Sequence, residues 1–256
     1  MGNNRQILLN FLPAMLIGAM CIPLDSIDVY QAAIKKPGVI DIHYFWMNSI
    51  IYGGIYGTYF FYILAAIPFA DNFCREYEDG IWRYLVIREG TRQYAAKRFG
   101  YAFLWGGLTS AGSGTVFLLI SRSFCPYFLK KRYVEITFLP FCELLKTEPK
   151  QYFYVMLYLL FLTGGFWSCL AYSFSAYVPV RYMVCLFPFV VSFFISRIFT
   201  ILEVPAECRF DFWMRGRSGP QSIPVYLIAV TAVVLAILYM GFRVFYRKMK
   251  WRIANE

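Results

Sequence analysis

Six apolar runs of roughly twenty residues, divided by short polar segments, constrain this chain more than any other feature. They fall at about 7–24, 45–70, 101–121, 152–177, 182–202 and 224–242. Runs this long and continuous belong in hydrocarbon, where every backbone N–H and C=O must be satisfied within the protein. Helices meet that demand. A β-barrel would alternate apolar and polar residues, and these runs do not. Charged residues make up only 16% of the chain, against about a quarter in soluble domains. The expected fold is all-α: one polytopic membrane domain over residues 1–256 with six transmembrane helices. Pro13 and Pro23 predict a bend or ragged end in the first span, and Pro188 lies within the fifth.

Between the second and third runs, residues 72–98 read NFCREYEDGIWRYLVIREGTRQYAAKR, the longest strongly charged segment of the chain. Counting its flank it holds five acids (Asp71, Glu76, Glu78, Asp79, Glu89) and six bases (Arg75, Arg83, Arg88, Arg92, Lys97, Arg98). A segment this polar must emerge from the bilayer. Its apolar residues Phe73, Tyr77, Ile81, Trp82, Leu85 and Val86 recur close to i, i+4, i+8, as on a helix lying along a surface. Asp71 or Asn72 is placed to cap it, Gly80 to interrupt it and Gly90 to stop it, with Thr91 capping the next helix. The expected result is a polar knob with Glu76, Glu78 and Arg88 outermost. Two uses fit this chemistry: docking of a soluble partner, or an amphipathic loop resting on headgroups.

Catalysis finds little to work with. His43 is the only histidine and falls in the loop after the first run, which removes His-based metal clusters and Ser–His triads. Glu76 and Glu78 form a carboxylate pair without a pocket, and no GxxxxGK(S/T) loop is present for nucleotide phosphates. The seven cysteines include no CxxC pair; Cys125, Cys142 and Cys208 fall in expected outer loops, where one disulfide would fit. No Asp or Glu lies inside any run, and Arg197 is the one clear charge there, close enough to an end to snorkel. An ion-driven transporter needs titratable groups at mid-depth, so the driving energy of a transporter built this way is expected to come from elsewhere.

The net charge of +10 reads as bases meeting anionic membrane lipid, not nucleic acid. Six spans put both termini on one side, and the basic tail (Arg243, Arg247, Lys248, Lys250, Arg252) makes that side cytoplasmic. The bias is weak in total: thirteen bases inside against eleven in the outer loops, three of them Lys130, Lys131 and Arg132. Arg5 alone precedes the first run, with neither a signal cleavage site nor, given Gln6, a myristoylation signal. Small residues recur every four positions at Gly53 and Gly57, at Gly106, Ser110 and Gly114, and at Gly164 and Ser168. Such rows serve static packing or sliding contacts between helices. Tyr52, Tyr56 and Tyr59 share one face of the second run, facing lipid or lining a substrate path. The loop at 203–223, with Phe210, Phe212, Trp213, Gly219 and Pro220, is either loose or folded into short re-entrant helices.

The pattern Glu76-x-Glu78-x-Gly80, then Arg88-x-Gly90-x-Arg92-x-Tyr94-x-x-Lys97, resembles the loop between the second and third spans of type-2 ABC transporter permeases. In that family a coupling helix occupies this loop, followed by an Arg-x-Gly-x-Arg turn and a lysine that opens the third span. Chain length, span number and loop position agree, so the resemblance covers the whole chain, although its motif is only about twenty residues long. It implies that Phe73, Glu76, Tyr77, Glu78, Gly80, Trp82 and Arg88 form the coupling contact with a cytoplasmic ABC ATPase. Gly90, Arg92 and Lys97 would orient the loop at the headgroups. It implies two ATPase copies carrying the ATP and Mg, no cofactor or metal on this chain, and a second permease chain, identical or homologous. It implies a bacterial plasma membrane and export of a hydrophobic or amphipathic substrate, such as an antimicrobial peptide, drug or lipid. The chain departs from larger members in lacking an amphipathic helix before the first span, a fused ATPase and a large extracellular domain. Two alternatives remain open: an immunity or sensor protein that binds a peptide in the bilayer without an ATPase, and an intramembrane enzyme.

Overall fold

Helices form every regular element among the described residues of the computed structural model, which are 2–129, 139–218 and 222–255, with side chains from Gln6 onward. The basic run Lys130–Arg132, Gly219, Pro220 and the side chain of Arg5 lie outside the described residues. Five segments are long and apolar enough to cross a membrane: Gln6–Lys35, Thr91–Ser121, Pro149–Ser175, Arg181–Ile201 and Ile223–Asn255. The first contains α1 (Gly2–Cys21) and α2 (Ile27–Lys35).

The second apolar run departs from the expected continuous span over 45–70. Helix α3 (Ile42–Trp46) runs through a π turn, Met47–Ile51, and stops. A second π turn, Tyr56–Phe60, then leads into α4 (Phe61–Ala66). The two halves, Ile42–Ile51 and Tyr56–Ala66, meet at 42° and make a sixth crossing only if they count together. The cause is the Gly53-Gly54 pair. Gly53 adopts φ +72°, which favours glycine, and the freed N–H of Ile55 donates to both carboxylate oxygens of Asp25 at 2.9 Å. His43 lies on α3 and is buried, where the sequence pointed to a loop; Tyr152 Oη sits 3.3 Å from its Nε2.

Helices α5 (Asn72–Glu78) and α6 (Trp82–Glu89) follow, then α7 (Thr91–Ser121), α8 (Cys142–Thr147), α9 (Pro149–Ser175), α10 (Arg181–Ile201), α11 (Phe210–Met214) and α12 (Ile223–Asn255). The centre is the antiparallel pair α7 and α9, and here two of the small-residue rows meet each other. A Cβ on Gly106 would stand 2.7 Å from the carbonyl oxygen of Gly164, and one on Gly164 would stand 2.6 Å from that of Gly106. Phe103 lies over Gly165 and Phe161 over Gly107, and the two rings meet edge to face at 5.5 Å. Backbones this close gain dispersion contacts that larger residues would prevent.

Two main cores stack along the bundle, beside a third small cluster of Ala66, Ala70, Cys74, Ala171 and Val184. The smaller main core holds Ile7, Phe73, Trp82, Tyr94, Phe245 and Met249, so the start of α1, the charged segment and the end of α12 gather at one end. Its side chains explain why α7 begins well before the third apolar run and why α12 carries the basic tail as helix. The larger core fills the middle and the other end, around Trp46, Phe117, Phe153 and Tyr226. There the described part of the loop at 203–223 holds a short 3₁₀ turn, Ala206–Cys208, and α11, so it carries short helices and is not loose throughout. All seven cysteines are free thiols.

Candidate functional sites at the two ends of the bundle

The charged segment forms a two-helix cap. α5 and α6 are joined through a turn at Gly80, and Gly90 ends α6. No side chain caps α5 or α7: Asp71 instead pairs with Arg75 at 2.7 Å, and Thr91 opens α7 without a capping bond. Glu76 was expected on the outer surface, but it is buried. Its carboxylate accepts from Asn72 Nδ2 at 2.8 Å and from Tyr94 Oη, and it pairs with Arg98. The reason is tertiary: the first turns of α7 fold back over α5 and bring a phenol and a guanidinium to it. Phe73 and Trp82 are buried beside Phe245, and Tyr77 is half-buried beneath the guanidinium of Arg252 at 4.6 Å. Glu78, Gly80 and Arg88 are exposed as expected, and Glu78 pairs with Arg181 at the start of α10. Arg92 and Lys97 are exposed on α7, with Lys97 3.4 Å from Glu89. The outer face of α6 presents Tyr84 and Ile87, each 77% exposed, which the period drawn through Ile81 and Leu85 did not single out.

At the other end, the break in the second run opens onto a cleft of about 450 Å³. The expected tyrosine face is divided by that break. Tyr56 is buried against Gly18, whereas Tyr52 and Tyr59 are exposed and line the cleft with Tyr62 at its base. Its other walls are α10 and the residues around α11, which bring in Arg197, Arg209, Arg215 and Arg217. Arg209 is committed to Asp211 at 2.9 Å and stacks on Phe212 at 3.9 Å. Arg215 reaches inward past Gly53 and donates to Tyr62 Oη at 2.6 Å. Arg217 lies between the rings of Phe212 and Tyr52, at 4.2 and 5.4 Å. Burial lowers the pKa of Arg217, and the charges of Arg209 and Arg215 push it the same way.

The depth of this arginine cluster is unexpected. Thr163 Oγ1 donates to the carbonyl of Met214 at 3.2 Å, and Thr163 stands near the middle of α9, about 21 Å from its start. Charge scarce within the runs is thus carried into the bundle by a loop. The sequence RFDFWMRGRSG, with arginines interleaved among aromatics, was the signal for it.

No group of three or more metal-ligating side chains occurs among the described residues. No family model, curated protein or solved structure matches this chain.

Proposed function

We propose that this chain is the membrane subunit of an ABC exporter, and that α5 and α6 engage a cytoplasmic ATPase. The observation that carries this reading is the outer face of α6. Tyr84 and Ile87 stand in solvent on a short helix whose opposite side, Trp82 and Val86, is firmly buried. A rigid apolar and aromatic tip rimmed by Arg83 and Arg88 suits a cleft in a soluble partner. Phe73, Glu76 and Trp82 then serve as supports, and Glu78, Gly80, Tyr84, Ile87 and Arg88 as contacts.

Closure of two ATPases on ATP would push on α6. The load would pass from Glu76 to Arg98 and Tyr94 of α7, from Glu78 to Arg181 of α10, and from Phe73 to Phe245 of α12. Three helices of the bundle are therefore tied to one small cap. In this reading the bent pair is one span of six, both termini face the cytoplasm of a bacterial cell, and a second permease chain completes the path. The exported molecule is hydrophobic or amphipathic.

The test is co-purification with a soluble protein that bears GxxxxGK(S/T) and is encoded beside this chain. Tyr84→Ala with Ile87→Asp should lower the recovered ATPase at least about tenfold while the permease folds normally. Undiminished recovery would remove α6 as the contact.

A further inference from the structure

The cleft beside the broken helix gathers like charge without compensation. Four arginines and one carboxylate line it, and that carboxylate, Asp211, is taken by Arg209. Among the described residues, Arg197, Arg215 and Arg217 have no carboxylate within ion-pair distance; their partners are the Phe193 ring, the Tyr62 hydroxyl, and the Phe212 and Tyr52 rings. Arg215 and Arg217 are half-buried, where an uncompensated guanidinium is costly to keep. Hydroxyls of Thr58, Ser196 and Thr200 line the same space without adding negative charge, their protons donated to Gly53 O, Asp211 Oδ2 and Ser196 O. The remaining walls are apolar: Phe193, Phe212 and Tyr59 lead outward to Phe194, Ile198 and Ile201 on the exposed side of α10.

We propose that this cleft binds the terminal phosphate (a phosphomonoester) of an amphipathic molecule, with Arg215 and Arg217 as the inner clamp, Arg197 at the rim, and the apolar tail along α10. A guanidinium offers paired donors that match phosphate oxygens, and a tetrahedral anion can be shared by converging forks from several sides. The volume suits a phosphorylated headgroup better than a bare ion. The mixed lining, charged at depth and aromatic toward the lipid-facing side, suits a molecule charged at one end only. The inference concerns the cleft alone and stands or falls apart from any ATPase contact.

Native mass spectrometry of the detergent-solubilised full chain tests it. Phosphatidic acid and phosphatidylcholine of identical acyl chains would be titrated in turn, and sodium phosphate added as competitor in a separate arm. Phosphatidic acid should be retained about tenfold more strongly, and Arg215→Gln with Arg217→Gln should abolish the preference. Arg243→Gln with Arg247→Gln, in the distant basic tail, should leave it intact. Displacement by millimolar phosphate, with no lipid preference, would assign the cleft to free phosphate and keep the clamp. Equal retention of both lipids with no phosphate effect, or equal loss from the tail variant, would overturn the proposal. Should the double variant fail to fold, Arg197→Gln on the exposed rim and Arg217→Lys decide: each should weaken binding about threefold, and no weakening in either would refute the clamp.

Discussion

Glu76 and Glu78 stand two positions apart on α5 and meet different surroundings. Glu76 is enclosed by Asn72, Tyr94 and Arg98, so its loss would strand a largely buried guanidinium. Glu76→Ala should therefore cost about 3 kcal/mol in thermal unfolding of the solubilised chain. Glu78 and Arg181 are both about half exposed, and Glu78→Ala should cost less than about 1 kcal/mol. Equal losses would contradict the burial described here. The sequence showed the charge of both residues and the surface position of only one. Asn72 is a local partner, but burial of Glu76 also depends on Tyr94 and Arg98, which the chain supplies only after the turn at Gly90, beyond the reach of local periodicity. The cysteines divide in the same way. Burial raises the Cys74 thiol to about 12 and the Cys125 thiol to about 11, Asp41 adding to the latter. A raised thiol pKa leaves less thiolate at any given pH, so alkylation of either at pH 8 should be far slower than that of exposed Cys208. Their rates should climb with pH well past the ordinary thiol range, which a pH series of maleimide or iodoacetamide labelling would reveal. Cys208 is accordingly the useful topological label, and Cys125, expected in an outer loop, is not.

At the scale of elements, the small-residue rows were legible as spacing, and the structure supplies which row faces which. Gly106 and Gly164 face each other across α7 and α9, with backbone carbonyls where side chains would go. Gly106→Val should destabilise the chain by about 1–3 kcal/mol or more, read as a lowered unfolding temperature, because backbone cannot move aside as a flexible side chain can. Gly100, on the same helix with nothing near it, should accept Ala without loss and serves as control. The broken second run was not legible. Its Gly53 and Gly57 fit a helix-packing row, and only the Asp25 carboxylate, from the preceding loop, shows that the N–H of Ile55 has left the helix. Asp25→Ala should loosen this joint by about 1 kcal/mol, in line with the loss of a helix cap, and raise amide exchange at Ile55. Unchanged exchange there would mean that the break holds without its cap.

For the whole molecule, the apolar runs made the helical class and most span boundaries readable. What they hid was the traffic between helices: a loop that folds into the bundle with three arginines, and a charged cap that buries Glu76 along with Phe73 and Trp82. Both rest on contacts between distant parts of the chain: the loop has no local period to announce it, and the period of the cap marked Phe73, Trp82 and Val86 but not Glu76. Ile7, Phe73 and Met249 share one core, so α1 begins and α12 ends at the same end of the bundle. In the proposed six-span topology, tags placed before Gly2 and after Asn255 should be cleaved together in sealed vesicles of one orientation and protected together in the other, with Cys208 labelled from the opposite side. Separate cleavage would break this topology. The joint at Gly53 has a mechanical consequence. The segment Tyr56–Ala66 is a rod of only about 16 Å, hinged at one end and running into the cap at the other. Tyr62, which receives Arg215, rides on that rod, while the glycine-locked pair α7 and α9 stands beside it as a fixed frame. In the proposed exporter a tilt of the cap would swing this rod about Gly53 and carry Tyr62, with its Arg215 contact, through only part of the cap's own displacement, so the joint would work as a reducing lever.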